Sequence, residues 1–498
     1  MMAALDTFRF LSDYLYDRIS PSVPIGYGEG DSSPKKRSEA MLCTLFRDHM
    51  YAAGDGYFLY GDNGLVYVYN GKYYEKVTTK TFLQELIKET LRKLEVDVVY
   101  QEFSPKKIAE ECMCGIENRE DCRFIPDRRY IVFANGVLDL KTGKLNEFGI
   151  EYRTDIILDI DYDPSATHHL WDMKIAEIIP NRQMMDAFQM FCGSLLVNRK
   201  EIKIEYICYL VGPGSNGKSV IAGAVASVFG EEYFAKFDPE KLLKSNDSMF
   251  NIAYLDGKIA NFTDDLGKSD ISGGAFKRFV SGEEFQARHP YGHKIFKVNA
   301  PPLLCCTNDI PNTTDDSWGH HRRQLPIYST SKQWSEKDKD ARLGSKLSTP
   351  EARKAIFNWI YAGYKKILAN DGNIPLGEEV IEAQIALRDD SNSARRWLRD
   401  MQYVKISEED AKADNWKYLT EWHALYKDYC RDYGEANVQI AKSLAKLFRE
   451  KGFLCKRSNK GFMFCLGVLG VDVDDYGNRV EGDGNPVILS KDEEELPF

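Results

Sequence analysis

The stretch that most constrains this chain is Gly212-Pro-Gly-Ser-Asn-Gly-Lys-Ser219. It fits the pattern G-x-x-x-x-G-K-S/T. An apolar run, Tyr206 to Val211, precedes it, and a helical pattern from Val220 to Val228 follows. This strand–loop–helix setting is what such a loop requires. Glycines let backbone N–H groups turn inward around phosphate oxygens, and the N-terminus of the next helix adds positive potential. The reading predicts a nucleotide cradle of Gly212, Pro213, Gly214, Ser215, Asn216, Gly217, Lys218, Ser219 and Val220. Lys218 would reach the β- and γ-phosphates and the Ser219 hydroxyl would hold Mg²⁺, so the cofactors are ATP and Mg²⁺. A nucleotide loop after a strand implies an α/β core.

Length and composition bound the rest. A chain of 498 residues is long enough for about three or four domains. Its net charge of −10 excludes a globally basic nucleic-acid binder, so any DNA contact must come from a local patch. The 11 cysteines are odd in number and follow no regular framework, which reads as reduced thiols of an intracellular protein. Cys112, Cys114 and Cys122 supply only three zinc ligands, and free cysteines are the simpler reading. There is no secretory pattern, and no apolar run nears the ~20 residues of a membrane span. The expected compartment is the cytoplasm, with no membrane partner.

Along the chain, residues 1–164 read as an α+β domain. Within it, residues 21–38 look like a mobile loop. Gly61-Asp-Asn-Gly64 and Asn70-Gly71 are hairpin signals between aromatic strands. Leu83, Ile87, Leu91 and Leu94 mark a helix face, and Phe133 to Leu140 reads as one strand-like run. Residues 165–204 form a helical linker or collar, with 168–197 reading as helical. Residues 205–330 are the nucleotide core, and 331–404 a helical connector with Ala355, Trp359, Ala362 and Ile367 as its buried face. Residues 405–470 are a compact module, and 471–498 an acidic, disordered tail.

Three further features give the loop a chemistry. Lys258 to Asp265 is a short apolar strand ending in two carboxylates. A Mg²⁺–ATP site needs one acid on the metal's water shell and another to orient or deprotonate the attacking water. Asp264 is assigned to Mg²⁺, and both Asp264 and Asp265 stand as candidate bases. Pro301 to Asn308 is a second apolar strand, whose terminal Asn308 amide can hold the water beside the γ-phosphate. Arg322 and Arg323 follow, and an arginine reaching a neighbouring subunit's γ-phosphate is worth ~10³–10⁵ in rate. Which of the two acts in this way is left open.

The ordered set resembles the superfamily-3 helicases, specifically the phage/plasmid and poxvirus-like primase-helicase family. Asp161-Tyr-Asp-Pro-Ser-Ala166 with Trp171, Met190-Phe-Cys-Gly-Ser-Leu195, Gly257-Lys258, the double acid, the Lys277 to Lys294 segment, Thr307-Asn308 with Pro311, and Arg322-Arg323 carry it. It spans about residues 125–470. The resemblance implies an AAA+ ATPase core assembling as a hexameric ring around single-stranded DNA, encoded by a phage or mobile element. Where the family commonly has Glu at the end of the acidic strand, this chain has Asp265. No paired-acid and histidine set in residues 1–160 supports primase chemistry.

The resemblance also points to DNA contacts. Phe285 to Tyr291 and Ile295 to Val298 can pair as a hairpin, which in the family projects into the ring channel. Lys294, His293 and Arg288 are its candidate DNA-binding residues, since cations neutralise phosphates there. In the module, Leu419 to Tyr433 and Val438 to Glu450 read as helices, followed by a hairpin from Phe453 to Leu466. This is a winged-helix-like pattern, with Lys442, Lys446 and Arg449 on one helix face and Lys456, Arg457 and Lys460 on the wing. The expected partners are single-stranded and forked DNA, copies of the same chain, and primase or other replication proteins. The last could dock on the N-terminal domain or on the acidic Leu-Pro-Phe498 terminus. The rival reading is a non-translocating, ATP-dependent DNA-binding initiator or regulator.

Overall fold

The computed structural model describes residues 2–22, 34–50, 56–77, 81–94, 105–116, 119–237, 248–263, 273–290, 294–310, 315, 317–335, 340–412, 415–435 and 438–468. It divides into two compact units, Met1–Pro311 with Ser317–Gln384, and Asn312–Asp316 with Ile385–Phe498.

The first unit opens on aromatic hairpins. Strands β1 (Phe58–Gly61), β2 (Val66–Tyr69) and β3 (Tyr74–Val77) pair antiparallel, and β4 (Arg123–Phe124) adds to β1 in parallel. The turns fall on Gly61–Gly64 and around Asn70-Gly71, as their residues require. Helices Met2–Ile19, Pro34–Met50, Phe82–Lys93 and Pro105–Ile116 cover one face. Leu11, Leu15, Phe46, Phe58, Val68, Leu86 and Ile87 form the core between them. The helix Pro34–Met50 begins inside the stretch read as a loop. Proline at a first helical position gives up an N–H that has no partner there anyway.

The run Phe133 to Leu140 is two strands rather than one. β5 (Tyr130–Phe133) and β6 (Gly136–Asp139) pair across Ala134-Asn135, and β7 (Leu145–Asn146) completes the meander. The turn lies beside Asn135-Gly136, a hairpin signal embedded in apolar residues. The helical stretch 168–197 is likewise broken, into His169–Ile178 and Arg182–Gly193. Pro180 lacks a donor and keeps Ile179 out of helical geometry. The Asn181 side chain then caps the second helix by accepting from Met184 N at 3.0 Å.

The centre of the unit is an all-parallel sheet of β8 (Ile207–Val211), β9 (Phe234–Ala235), β10 (Ala260–Thr263), β13 (Leu303–Thr307) and β14 (Gln324–Tyr328). The order is β14-β8-β13-β10-β9. Between β10 and β13 the chain makes an antiparallel hairpin of β11 (Glu284–Arg288) and β12 (Ile295–Asn299). β8 and β13 are almost wholly apolar because both faces are covered, while β10 carries the buried Asn261, whose amide bonds Phe237 O. Cys208, Leu210, Leu304, Cys306 and Ile327 face one core, which contains residues of helices Lys218–Phe229 and Pro350–Ala369. Ile207, Tyr209, Val211, Leu303 and Cys305 face a second core with Phe276 and Phe279.

The buried face of Pro350–Ala369 differs in part from expectation. Ala355 and Ile367 are buried, but Ala352, Ile356, Phe357, Ile360 and Tyr364 carry the rest, while Trp359 and Ala362 are half-buried. Trp359 packs edge-on to Trp171, with centroids 5.3 Å apart. The helix lies backbone to backbone on Arg182–Gly193. A Cβ on Gly193 would meet Tyr364 N at 2.2 Å, and one on Gly363 would meet Gln189 O at 2.1 Å.

In the second unit, β15 (Tyr403–Val404) pairs with β19 (Gly467–Val468). β16 (Trp416–Tyr418), β17 (Leu454–Ser458) and β18 (Gly461–Cys465) form a sheet ordered β16-β18-β17. Helices Leu419–Asp432 and Ala441–Glu450 pack on a core of Trp397, Trp422, Tyr426, Phe448 and Phe464. The second helix starts three residues later than expected. Gln439 is held outside it, its N–H donating to Tyr426 Oη at 2.9 Å and its carbonyl bonded by His423 Nε2 at 2.9 Å. The tail at 471–498 lies outside the described residues.

Candidate functional site

The phosphate-type loop leaves the carboxyl end of β8, flanked by β14 on one side and β13 on the other. In open parallel sheets, ligands bind in the crevice outside the carboxyl ends, where connections diverge to opposite sides. Here β8 leads on to β9 at the far edge, while β14 returns beside it. Gly217 caps helix Lys218–Phe229 at φ +89°. A Cβ there would meet Trp334 Cη2 at 2.5 Å and Ile178 Cδ1 at 2.6 Å, so glycine is required by conformation and by space.

The loop is stiffened from below. Asn216 is 1% exposed. It donates to Ser329 Oγ at 2.7 Å and Thr330 O at 2.9 Å, and Ser329 Oγ donates to Val211 O at 2.8 Å. Trp334 N donates to Ser215 O at 2.9 Å, and the indole N–H reaches Glu177 Oε1 at 3.1 Å. Lys218 Nζ donates to Gly212 O at 2.6 Å, Pro213 O at 2.8 Å and Asn216 Oδ1 at 3.1 Å. Burial pulls its pKa below the ordinary lysine value. Ser219 is exposed at the mouth of the helix.

The loop from Gly214 onward lines a cleft of about 760 Å³, while Gly212 and Pro213 lie outside its wall. Its wall includes Gly214 to Val220, Thr307 and Asn308 from the end of β13, and Trp334, Asp340 and Gly344. The structure therefore brings Lys218, Ser219 and Asn308 together. Sequence reasoning missed Trp334, Asp340 and Ser329, which nothing in the sequence sets apart from ordinary loop residues. Asp264 and Asp265 follow β10 directly but lie outside the described residues.

Arg322 and Arg323 are at the other end of the sheet. Arg323 O accepts from Ile207 N at 2.8 Å, at the start of β8, whereas the loop leaves its far end. Five residues of strand separate them, about 17 Å at ~3.3 Å per residue. The pair does not join its own chain's cleft. Arg322 and Arg323 instead reach Glu205 Oε2, at 2.8 and 3.1 Å.

The hairpin forms with Arg288 opposite Ile295. Arg288 lies over the Phe250 ring at 5.0 Å. Lys294 lies over the Tyr60 ring at 4.5 Å, with Nζ 3.3 Å from its hydroxyl. His293 lies outside the described residues. In the second unit Lys442, Lys446, Arg449, Lys456, Arg457 and Lys460 are all exposed. Arg449 lies over Phe462 at 4.9 Å, and Lys456 over Trp416 at 3.9 Å. Phe462 remains 41% exposed, so this basic surface also offers a ring face.

Comparison with known proteins gives two partial family matches. Residues 43–180 match the family described as D5 N terminal like. Residues 210–323, which hold the loop, Asn308 and the arginine pair, match a family of unknown function (DUF5906). The first match supports a primase-helicase-like replication protein, in line with the resemblance read from the sequence. Among solved structures, the chain is similar to the A form apo structure of the NrS-1 C terminal region, at 9% identity and TM-score 0.44 over 83% of this chain and 96% of that one. A further apo structure of that region matches with the same values, and a third at 10% identity and TM-score 0.42 over 82% and 96%. No helix among the described residues is long and apolar enough to cross a membrane.

Proposed function

We propose that this chain is an ATP-dependent DNA helicase of a phage or mobile element, acting as a ring on single-stranded DNA during replication. The observation that carries the reading is the cleft at the carboxyl end of β8, where Lys218, Ser219 and Asn308 converge. Lys218 and the loop amides would bind the phosphates, Ser219 and Asp264 would hold Mg²⁺, and Asn308 would position the attacking water. When bound, Mg²⁺ would neutralise charge developing between the β- and γ-oxygens. Asp264 or Asp265 would take the water's proton. Arg322 or Arg323 would act on the neighbouring copy's nucleotide, in keeping with their distance from their own cleft. The core would be of the AAA+ type and the second unit a winged-helix-like module binding forked DNA, supported by its β16-β18-β17 sheet, two helices and exposed cations.

Lys218→Ala is expected to reduce ATP turnover by at least ~10²–10³-fold, the scale for losing one transition-state charge stabiliser. A phosphate-release assay with purified chain checks this; retained turnover removes the assignment. A strand-displacement assay separates the helicase from a non-translocating regulator, which would hydrolyse ATP without opening duplex.

A further inference from the structure

We infer that Glu205 is a positioning residue linking the arginine pair to the base of the β11–β12 hairpin. Through it, DNA on the hairpin and nucleotide in a neighbouring copy's cleft would influence each other. The inference rests on the helicase reading above.

Glu205 lies just before β8 and uses both carboxylate oxygens. Oε2 accepts from Arg322 at 2.8 Å and lies 3.1 Å from Arg323. Oε1 accepts from Ser281 Oγ at 2.8 Å. Ser281 joins helix Gly273–Val280 to the hairpin, and Arg323 Nη2 also donates to its hydroxyl at 3.4 Å. The same chain segment grips the other end of the hairpin. Arg199 Nη1 donates to Ala300 O at 2.7 Å, just past β12, while Nη2 bonds Ile204 O at 2.9 Å and also Val280 O. Helix Gly273–Val280 in turn touches the short helix Trp318–His321 that presents the arginines. Lys277 Nζ donates to Ser317 Oγ at 2.8 Å, and the Phe276 and His320 rings are 4.9 Å apart.

The charge arithmetic makes this more than a surface ion pair. Two guanidinium groups share one oxygen of a carboxylate that is only 25% exposed, and Arg323 is only 13% exposed. Burial pushes the Glu205 pKa up, but the Ser281 hydrogen bond and the two guanidinium groups outweigh it and hold the group ionised. A partly buried carboxylate that loses one cation is left with uncompensated charge, which is costly there. When Arg322 or Arg323 turns toward a phosphate across a subunit boundary, the Glu205–Ser281 bond and the hairpin base must readjust. Of the two, Arg322 is the more exposed, at 45% against 13% for Arg323.

Glu205→Gln keeps the shape and the Ser281 hydrogen bond but removes the charge. Allosteric couplings typically amount to about 5-fold or more, so the variant is expected to lose about that factor in single-stranded-DNA stimulation of kcat. KM for ATP should be unchanged, and Glu205→Asp should restore part of the stimulation. An unchanged ratio of kcat with and without DNA in Glu205→Gln overturns the coupling. So does an equal loss in Glu205→Asp, which would mark a packing role only. If Glu205→Gln does not fold, Ser281→Ala cuts the hairpin side of the link alone; a stimulation ratio equal to wild type overturns the proposal. Wild-type chain whose ATP turnover DNA does not raise removes the helicase reading itself, and the coupling with it.

Discussion

At Gly217 one hydrogen atom decides whether the nucleotide loop can form. The residue sits at φ +89°, and the Trp334 ring occupies the space a side chain would need. A left-handed backbone costs a non-glycine residue roughly 1–2 kcal/mol. Gly217→Ala should therefore lower the melting temperature by about 1–2 °C through φ alone, at about 1 °C per kcal/mol for a chain this long, and further through the collision. It should also weaken binding of a non-hydrolysable ATP analogue. Adding Trp334→Ala should recover the part due to collision but not the part due to φ, and thermal melts of the single and double variants would show it. The motif in the sequence announced the glycine but not the tryptophan. Residues 217 and 334 are brought together only by the return of β14 beside β8, and no local signal encodes that pairing.

Among the elements, the β11–β12 hairpin forms where the sequence reading placed it, although its first strand ends at Arg288 rather than Tyr291. Alternation of Phe285, Ala287, Phe296 and Val298 set its register, and Arg288 and Ile295 face each other before the turn. Its Lys294 touches Tyr60 of β1. If that lysine tracks DNA backbone, Lys294→Ala should weaken single-stranded DNA binding and reduce the slope of log K against log salt by about 0.7, the value for one phosphate no longer neutralised. Fluorescence anisotropy at several salt concentrations measures it; an unchanged slope would place the lysine outside the DNA path. Elements that depart from their sequence pattern share a cause. The Ala134-Asn135 turn, the Pro180 break and the late start of Ala441–Glu450 each replace a continuous pattern by a local bond or a missing donor.

At the scale of the whole molecule, the separation of Arg322 and Arg323 from their own cleft makes an assembly of copies a testable requirement. Chain with ATP analogue should show a mass several times its 57.0 kDa. Arg323→Ala mixed into wild type should depress turnover by more than dilution alone accounts for, because each variant copy would disable a neighbour's site; turnover falling only in proportion to dilution would rule the trans role out. The sequence alone determined the strand–loop–helix cradle, the aromatic hairpins and the hairpin bearing Lys294. In each, the chemistry depends on residues a few positions apart, and steric and hydrogen-bonding rules act directly on the local chain. Only the tertiary structure decided that Asn308, Trp334 and Asp340 share a wall with Lys218, and that the arginines lie a strand's length away on Glu205. Those relations follow from the order and parallel register of five strands, set by packing across both faces of the sheet rather than by any neighbour in sequence.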